Sequence, residues 1–170
     1  MIWRPSVVKM LARLVVVLML VPAVLLAAPD MVLKDIDGKS RNVNEFIGKG
    51  QWTVVAIWSV DCPICRRELY QMAFLHDANR KKDATVLGIS IDGMDDRKRV
   101  VEFIDEHALS FPNLIGSAKD AAELGTGRLF GTPTYYIFSP DGRLLGQRVG
   151  AQSQEQIEDL IAQLKRSSGG

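Results

Sequence analysis

Two cysteines, Cys62 and Cys65, stand three positions apart, and the chain of 170 residues has no others. Cysteines at this spacing serve thiol–disulfide exchange or bind metal. A bridge between them closes almost no loop, so it constrains the unfolded chain little and makes a poor staple. A structural zinc takes four ligands, of which this pair supplies two. The other soft candidates are His76 and His107. His76 follows on what reads as the same helix, about 16 Å from the cysteines at 1.5 Å per residue. That distance argues against a shared ion. The expectation is redox chemistry, with no metal and no bound cofactor; two inert buried cysteines are the bland alternative.

The local order is Trp58-Ser59-Val60-Asp61-Cys62-Pro63-Ile64-Cys65. A buried strand ends there and a helix begins with proline at its first position, where the missing N–H costs nothing. Cys62 then falls at the helix N-cap and Cys65 one turn in, on the same face. Unpaired N–H groups and the positive end of the helix dipole favour thiolate at Cys62, and thiolate is the attacking species. This assigns nucleophilic attack to Cys62 and resolution of the mixed disulfide to Cys65.

The elements that must position this pair follow from patterning. Met31 to Val43 has a turn signal at Asp37-Gly38 between two short strands, and Asn44 to Ile47 looks like one helical turn. Trp52 to Trp58 and Ala84 to Ile91 are apolar without alternation, as strands buried on both faces are. Pro63 to about Arg80 reads as one helix, with Cys65, Leu69, Met72, Ala73 and His76 at helical spacing. A helix capped by Asp95 or Asp96 runs to about His107, read as a surface helix-end residue. Phe111 to Ile115 is a short strand, Ala118 to Leu124 a short helix and Thr134 to Phe138 a third long strand. Asp141-Gly142 turns that strand into Arg143 to Val149, and Gln154 to Lys165 closes the chain as an amphipathic helix. This order predicts an α/β sandwich with a mixed central sheet flanked by helices.

Length allows one compact domain and one export segment. Arg4, Lys9 and Arg13 precede the first acidic residue, Asp30, and Leu14 to Ala28 carry no charge. A basic start and a short apolar run describe a signal sequence or an N-terminal anchor over 1–28. The expected division is 1–28 for export, 29–166 for the domain and 167–170 for a flexible tail. Without the three early cations the chain carries 18 basic and 20 acidic residues, which leaves no basic surface for nucleic acid. Membrane contact is expected only through 1–28, and the domain is placed in an oxidising, periplasmic or otherwise extracytoplasmic compartment.

The strand–CPIC–helix unit, Gly131-Thr132-Pro133-Thr134 before a strand and SPDGRLLGQRVG after it resemble the TlpA/ResA-type proteins of bacterial envelopes. The resemblance covers nearly all of Met31 to Lys165. It implies a thioredoxin-like sandwich with an added N-terminal β-hairpin and a cis proline at Pro133 beside the active-site disulfide. It also implies that Thr132 pairs with an extended substrate segment and that Glu68, three residues after the second cysteine, tunes or relays protons to Cys65. A solvated helix-face charge is the other account of Glu68, and the better one for Arg66 and Arg67. The implied partners are disulfide-containing envelope proteins, including apocytochrome c, with re-reduction by a membrane electron donor.

Two residues depart from the pattern. Asp61 stands where many members have tryptophan, and a carboxylate beside Cys62 opposes thiolate formation. Ala56 stands where thioredoxins carry a buried acid. Both departures bear on the redox poise; the leading reading is a disulfide reductase, with a DsbA-like oxidant or isomerase as the alternative. Ser59-Val60-Asp61-Cys62 also fits the Ser/Thr-x-x-Cys core of peroxiredoxins, although their upstream proline is replaced by Val55 and Ala56. A redox-inactive metal-delivery or binding protein is a fourth reading. Gly125-Thr126-Gly127 lacks the strand-then-helix context of a dinucleotide loop, and Asp92 to Asp96 is read as a loop with a helix cap.

Overall fold

A strand without hydrophobic alternation must be covered on both faces, and all seven residues of Trp52–Trp58 are buried. The computed structural model describes residues 30–168; the export segment expected at 1–28 lies outside them. Seven strands form one sheet: β1 (Val32–Asp35), β2 (Ser40–Asn42), β3 (Trp52–Trp58), β4 (Ala84–Ser90), β5 (Asn113–Ile115), β6 (Thr134–Phe138) and β7 (Leu144–Val149). Their order is β2-β1-β5-β4-β3-β6-β7. The β3–β4 and β4–β5 pairs are parallel; β3–β6, β6–β7, β1–β2 and β1–β5 are antiparallel. The sheet is mixed, and the N-terminal hairpin of β1 and β2 extends it beyond β5.

Helices are α1 (Pro63–Glu68), α2 (Tyr70–Asn79), α3 (Arg97–Glu106), α4 (Ala118–Leu124) and α5 (Gln154–Ser168), with single 3-10 turns at Val43–Glu45 and Met94–Asp96. Alternate residues of β3 feed two cores. Trp52, Val54, Ala56 and Trp58 pack with Cys65, Leu69 and Met72, with Phe103 of α3 and with Ile157 and Ile161 of α5. Val55 and Ile57 pack with Leu33, Val43, Ile47 and Leu124 on the other face. The resulting three layers bury a hydrophobic surface that drives folding.

Three expectations need correction. The single helix from Pro63 is two, parted at Leu69, where the Met72 N–H reaches back only three residues to the Leu69 carbonyl at 3.0 Å. The closing helix runs to Ser168, so two of the four residues assigned to a tail are helical. The strand expected from Phe111 begins at Asn113, because Pro112 has no N–H to give to the ladder. The Pro112 carbonyl takes the Gly88 N–H at 2.8 Å. No helix among the described residues is long and apolar enough to cross a membrane.

Candidate active site

Cys62 is the N-cap of α1, in extended backbone, with Pro63 opening the helix. Its Sγ accepts the Cys65 N–H at 3.0 Å, so one of the helix's unpaired donors already points at sulfur. Cys62 and Cys65 form a disulfide, with Cα atoms 5.2 Å apart. Cys62 retains 8% exposure whereas Cys65 has none. Of the pair, Cys62 is the residue that keeps any exposed surface.

The segment around residue 132 completes the rim. Thr132–Pro133 is a cis peptide, as the resemblance implies, and the Thr132 carbonyl oxygen lies 3.3 Å from Cys62 Sγ. Pro133 is buried and its carbonyl takes the Gly150 N–H at 2.8 Å. The Thr134 hydroxyl donates to the Gly131 carbonyl at 2.7 Å. Thr132 is half-buried beside the sulfur, and Glu68, at the C-terminal end of α1, is half-buried too.

Several residues have partners that the sequence did not indicate. Asp92, read as part of a loop, braces the approach to Cys62. Its carboxylate accepts from the Ser59 hydroxyl at 2.6 Å, the Val60 N–H at 3.1 Å and the Ser90 hydroxyl at 2.5 Å. The only available signal was its place after a buried strand. Arg66, expected on a solvated face, donates to the Val60 carbonyl at 3.2 Å and lies over the Phe103 ring. Asp61 is paired with Arg99 of α3. That carboxylate, followed by Asp96, raises the guanidinium pKa. The charge that opposes thiolate at Cys62 is therefore countered by a residue 38 positions away.

Trp58 roots the site in the core. It donates to Asn113 Oδ1 at 3.2 Å and stacks on Phe103 at 4.7 Å. Phe103 in turn stacks on His107 at 4.1 Å, so His107 is packed rather than a plain surface residue. His76 is buried, and its Nδ1 accepts the Val86 N–H at 3.2 Å. β5 is too short to pair that N–H. Burial, more than the nearby Arg80, lowers the His76 pKa. No group of three or more His, Cys, Asp or Glu side chains among the described residues is arranged to hold a metal ion.

The chain is similar to known proteins in both sequence and fold. The chain is 26% identical over 137 residues to the thiol-disulfide oxidoreductase ResA of Bacillus anthracis, spanning 81% of this chain and 76% of that protein. The crystal structure of StoA from Bacillus subtilis superposes with a TM-score of 0.60 at 22% identity, covering 76% of this chain and 93% of StoA. A thioredoxin family thiol:disulfide interchange protein from Chlorobium tepidum superposes with a TM-score of 0.67 at 20% identity, covering 81% and 94%. Fold and site together define a thioredoxin-like thiol–disulfide oxidoreductase. Residues 24–146 match the AhpC/TSA family, and the chain belongs to it.

Proposed function

We propose that the chain reduces disulfides of exported proteins, with Cys62 attacking and Cys65 resolving. The observation that carries this reading is the asymmetry of the two sulfurs. Cys62 sits at a helix N-cap with the Cys65 N–H on its sulfur and some exposure, while Cys65 is sealed beneath it. A Cys62 thiolate attacks one sulfur of the substrate disulfide, and the other substrate sulfur leaves as thiolate. Cys65 thiolate then attacks Cys62 Sγ, releasing the second substrate thiolate and leaving the Cys62–Cys65 disulfide. Two electrons pass to the substrate.

The Thr132 backbone, beside Cys62, is suited to pair with an extended substrate segment, with Pro133 holding it in place. Glu68, half-buried one turn beyond Cys65, is suited to exchange protons with the buried thiol. The Ser59 hydroxyl is committed to Asp92, which favours disulfide exchange over peroxide chemistry at the Ser-x-x-Cys spacing. The basic, then apolar 1–28 segment supports export to an extracytoplasmic compartment. Repeated turnover there needs a membrane donor to restore the dithiol.

Insulin reduction by the purified dithiol form is the test. Cys62→Ser abolishes it, and Cys65→Ser accumulates a protein–substrate mixed disulfide. A wild-type dithiol that leaves insulin and other small protein disulfides intact refutes the reading.

A further inference from the structure

Reduction leaves Cys65 as a thiol that must become a thiolate to resolve the mixed disulfide, at a residue with no solvent contact in the oxidised protein. A buried thiolate without a donor is costly, because burial favours the neutral thiol. Its surroundings are mostly hydrocarbon. Ala56, Leu69 and Met72 share its cluster, and β3 offers nothing polar at this level. The same cluster holds Tyr135, whose hydroxyl is uncommitted.

Tyr135 belongs to the same buried cluster as Cys62 and Cys65 and has no solvent exposure. It pairs in register with Ala56 across β3 and β6. Register partners point their side chains to the same face, so the phenol stands on the cysteine side of the sheet. It also follows Pro133 by two residues, the strand repeat that returns to one face. Its hydroxyl is buried and has no hydrogen-bond partner. Buried hydroxyls are rarely left unpaired. Tyr136 has an unpartnered hydroxyl as well, so that property alone decides nothing. Tyr136 faces the opposite core and packs against Gly125, away from the sulfurs.

We propose that the Tyr135 hydroxyl is the hydrogen-bond donor that receives the Cys65 thiolate when the disulfide opens. This rests on the exchange reaction proposed above and adds a residue to it. The donor stays neutral throughout: burial, reinforced by the nearby Glu68 carboxylate, raises the Tyr135 pKa. A neutral phenol is what a thiolate partner requires. The charged groups around the pair are few. Glu68 faces Tyr135 from α1, Arg66 and Arg67 of α1 lie on the exposed side, and Asp61 is engaged with Arg99. From α5, Ile157, Leu160 and Ile161 complete the wall.

Tyr135→Phe removes the oxygen and keeps the ring, so it tests this directly. Reduced protein is mixed with 5,5′-dithiobis(2-nitrobenzoate) in a stopped-flow instrument. The first thionitrobenzoate is released as Cys62 forms its mixed disulfide, and the second as Cys65 resolves it. Tyr135→Phe leaves the first phase unchanged and slows the second about tenfold at neutral pH, the loss of a hydrogen bond to a charged group. The pH profile of the second phase moves upward with it. Titration of Cys65, followed by the 13Cβ shift in labelled protein, moves the same way. A second phase with wild-type rate and pH profile overturns the proposal. If wild-type protein itself shows no second phase, the exchange reading fails instead.

Discussion

Asp92→Ala is the perturbation that most directly tests how the site is held. The carboxylate accepts three hydrogen bonds, from the Ser59 hydroxyl, the Val60 N–H and the Ser90 hydroxyl. Each bond to a charged acceptor is worth about 1.5–3 kcal/mol net. The loss is smaller than their sum, because Asp92 is half-buried and water enters the vacated space. The Ser59 hydroxyl can turn to that water, whereas Val60 and Ser90 are buried. Two stranded groups at roughly 1–2 kcal/mol each give a destabilisation of about 2–4 kcal/mol. Urea unfolding of the oxidised protein measures it. The same substitution frees the two residues that lead into Asp61-Cys62. Insulin reduction is therefore expected to fall about tenfold, the scale on which small misplacements act on reaction rates. Asp92→Asn keeps the volume and one acceptor oxygen and should fall between. A stability loss below about 0.5 kcal/mol, the size of an ordinary surface substitution, together with unchanged turnover would refute the bracing role.

Gly88→Ala places a Cβ 2.0 Å from Asn113 Oδ1 and 2.8 Å from Phe111 Cε2. Because that oxygen holds the Trp58 indole, a loss of about 1–3 kcal/mol is expected by urea unfolding; wild-type stability would show that the indole contact is not strained. His76 has a folded-state pKa below its ordinary 6.5. Its contribution is fully present above the unfolded value and is lost as pH falls from about 6.5 toward the folded value. His76→Leu should flatten stability across that window, and an unchanged pH slope would assign the slope elsewhere. Arg99→Gln leaves Asp61 unpaired beside Cys62. Alkylation of the reduced protein by iodoacetamide should slow about two- to threefold at low salt, the modest size of an exposed pair. Asp61→Asn in the same chain should restore the rate; equal rates in all three proteins would dismiss the pair.

Much of the fold was legible in local patterning. The strand Trp52–Trp58, the short helix Ala118–Leu124 and the strand Thr134–Phe138 stand at their expected limits. The apolar, β-branched and aromatic runs of the two strands mark them without reference to anything distant. The parting of α1 from α2 was not legible, since neither proline nor glycine stands at Leu69. His107 looked like a surface residue because its position at a helix end gives no hint of the Phe103 stack.

The sequence by itself determined the chemistry. Proline after Cys62 and a strand before it place one sulfur at a helix N-terminus, and that relation spans only a few residues. The tertiary structure decided the company this sulfur keeps. The Thr132 carbonyl comes from 70 positions away, the Asp92 carboxylate from 33 beyond Ser59 and the Arg99 guanidinium from 38 beyond Asp61. Tyr135 faces Ala56 only because β6 pairs antiparallel with β3 in one register, and a shift of one residue would send its side chain to the other core. Capping and turn preferences act over one helical turn or one hairpin. Strand order and register are set by burying both faces of the whole sheet at once, so they alone fix what surrounds Cys62 and Cys65.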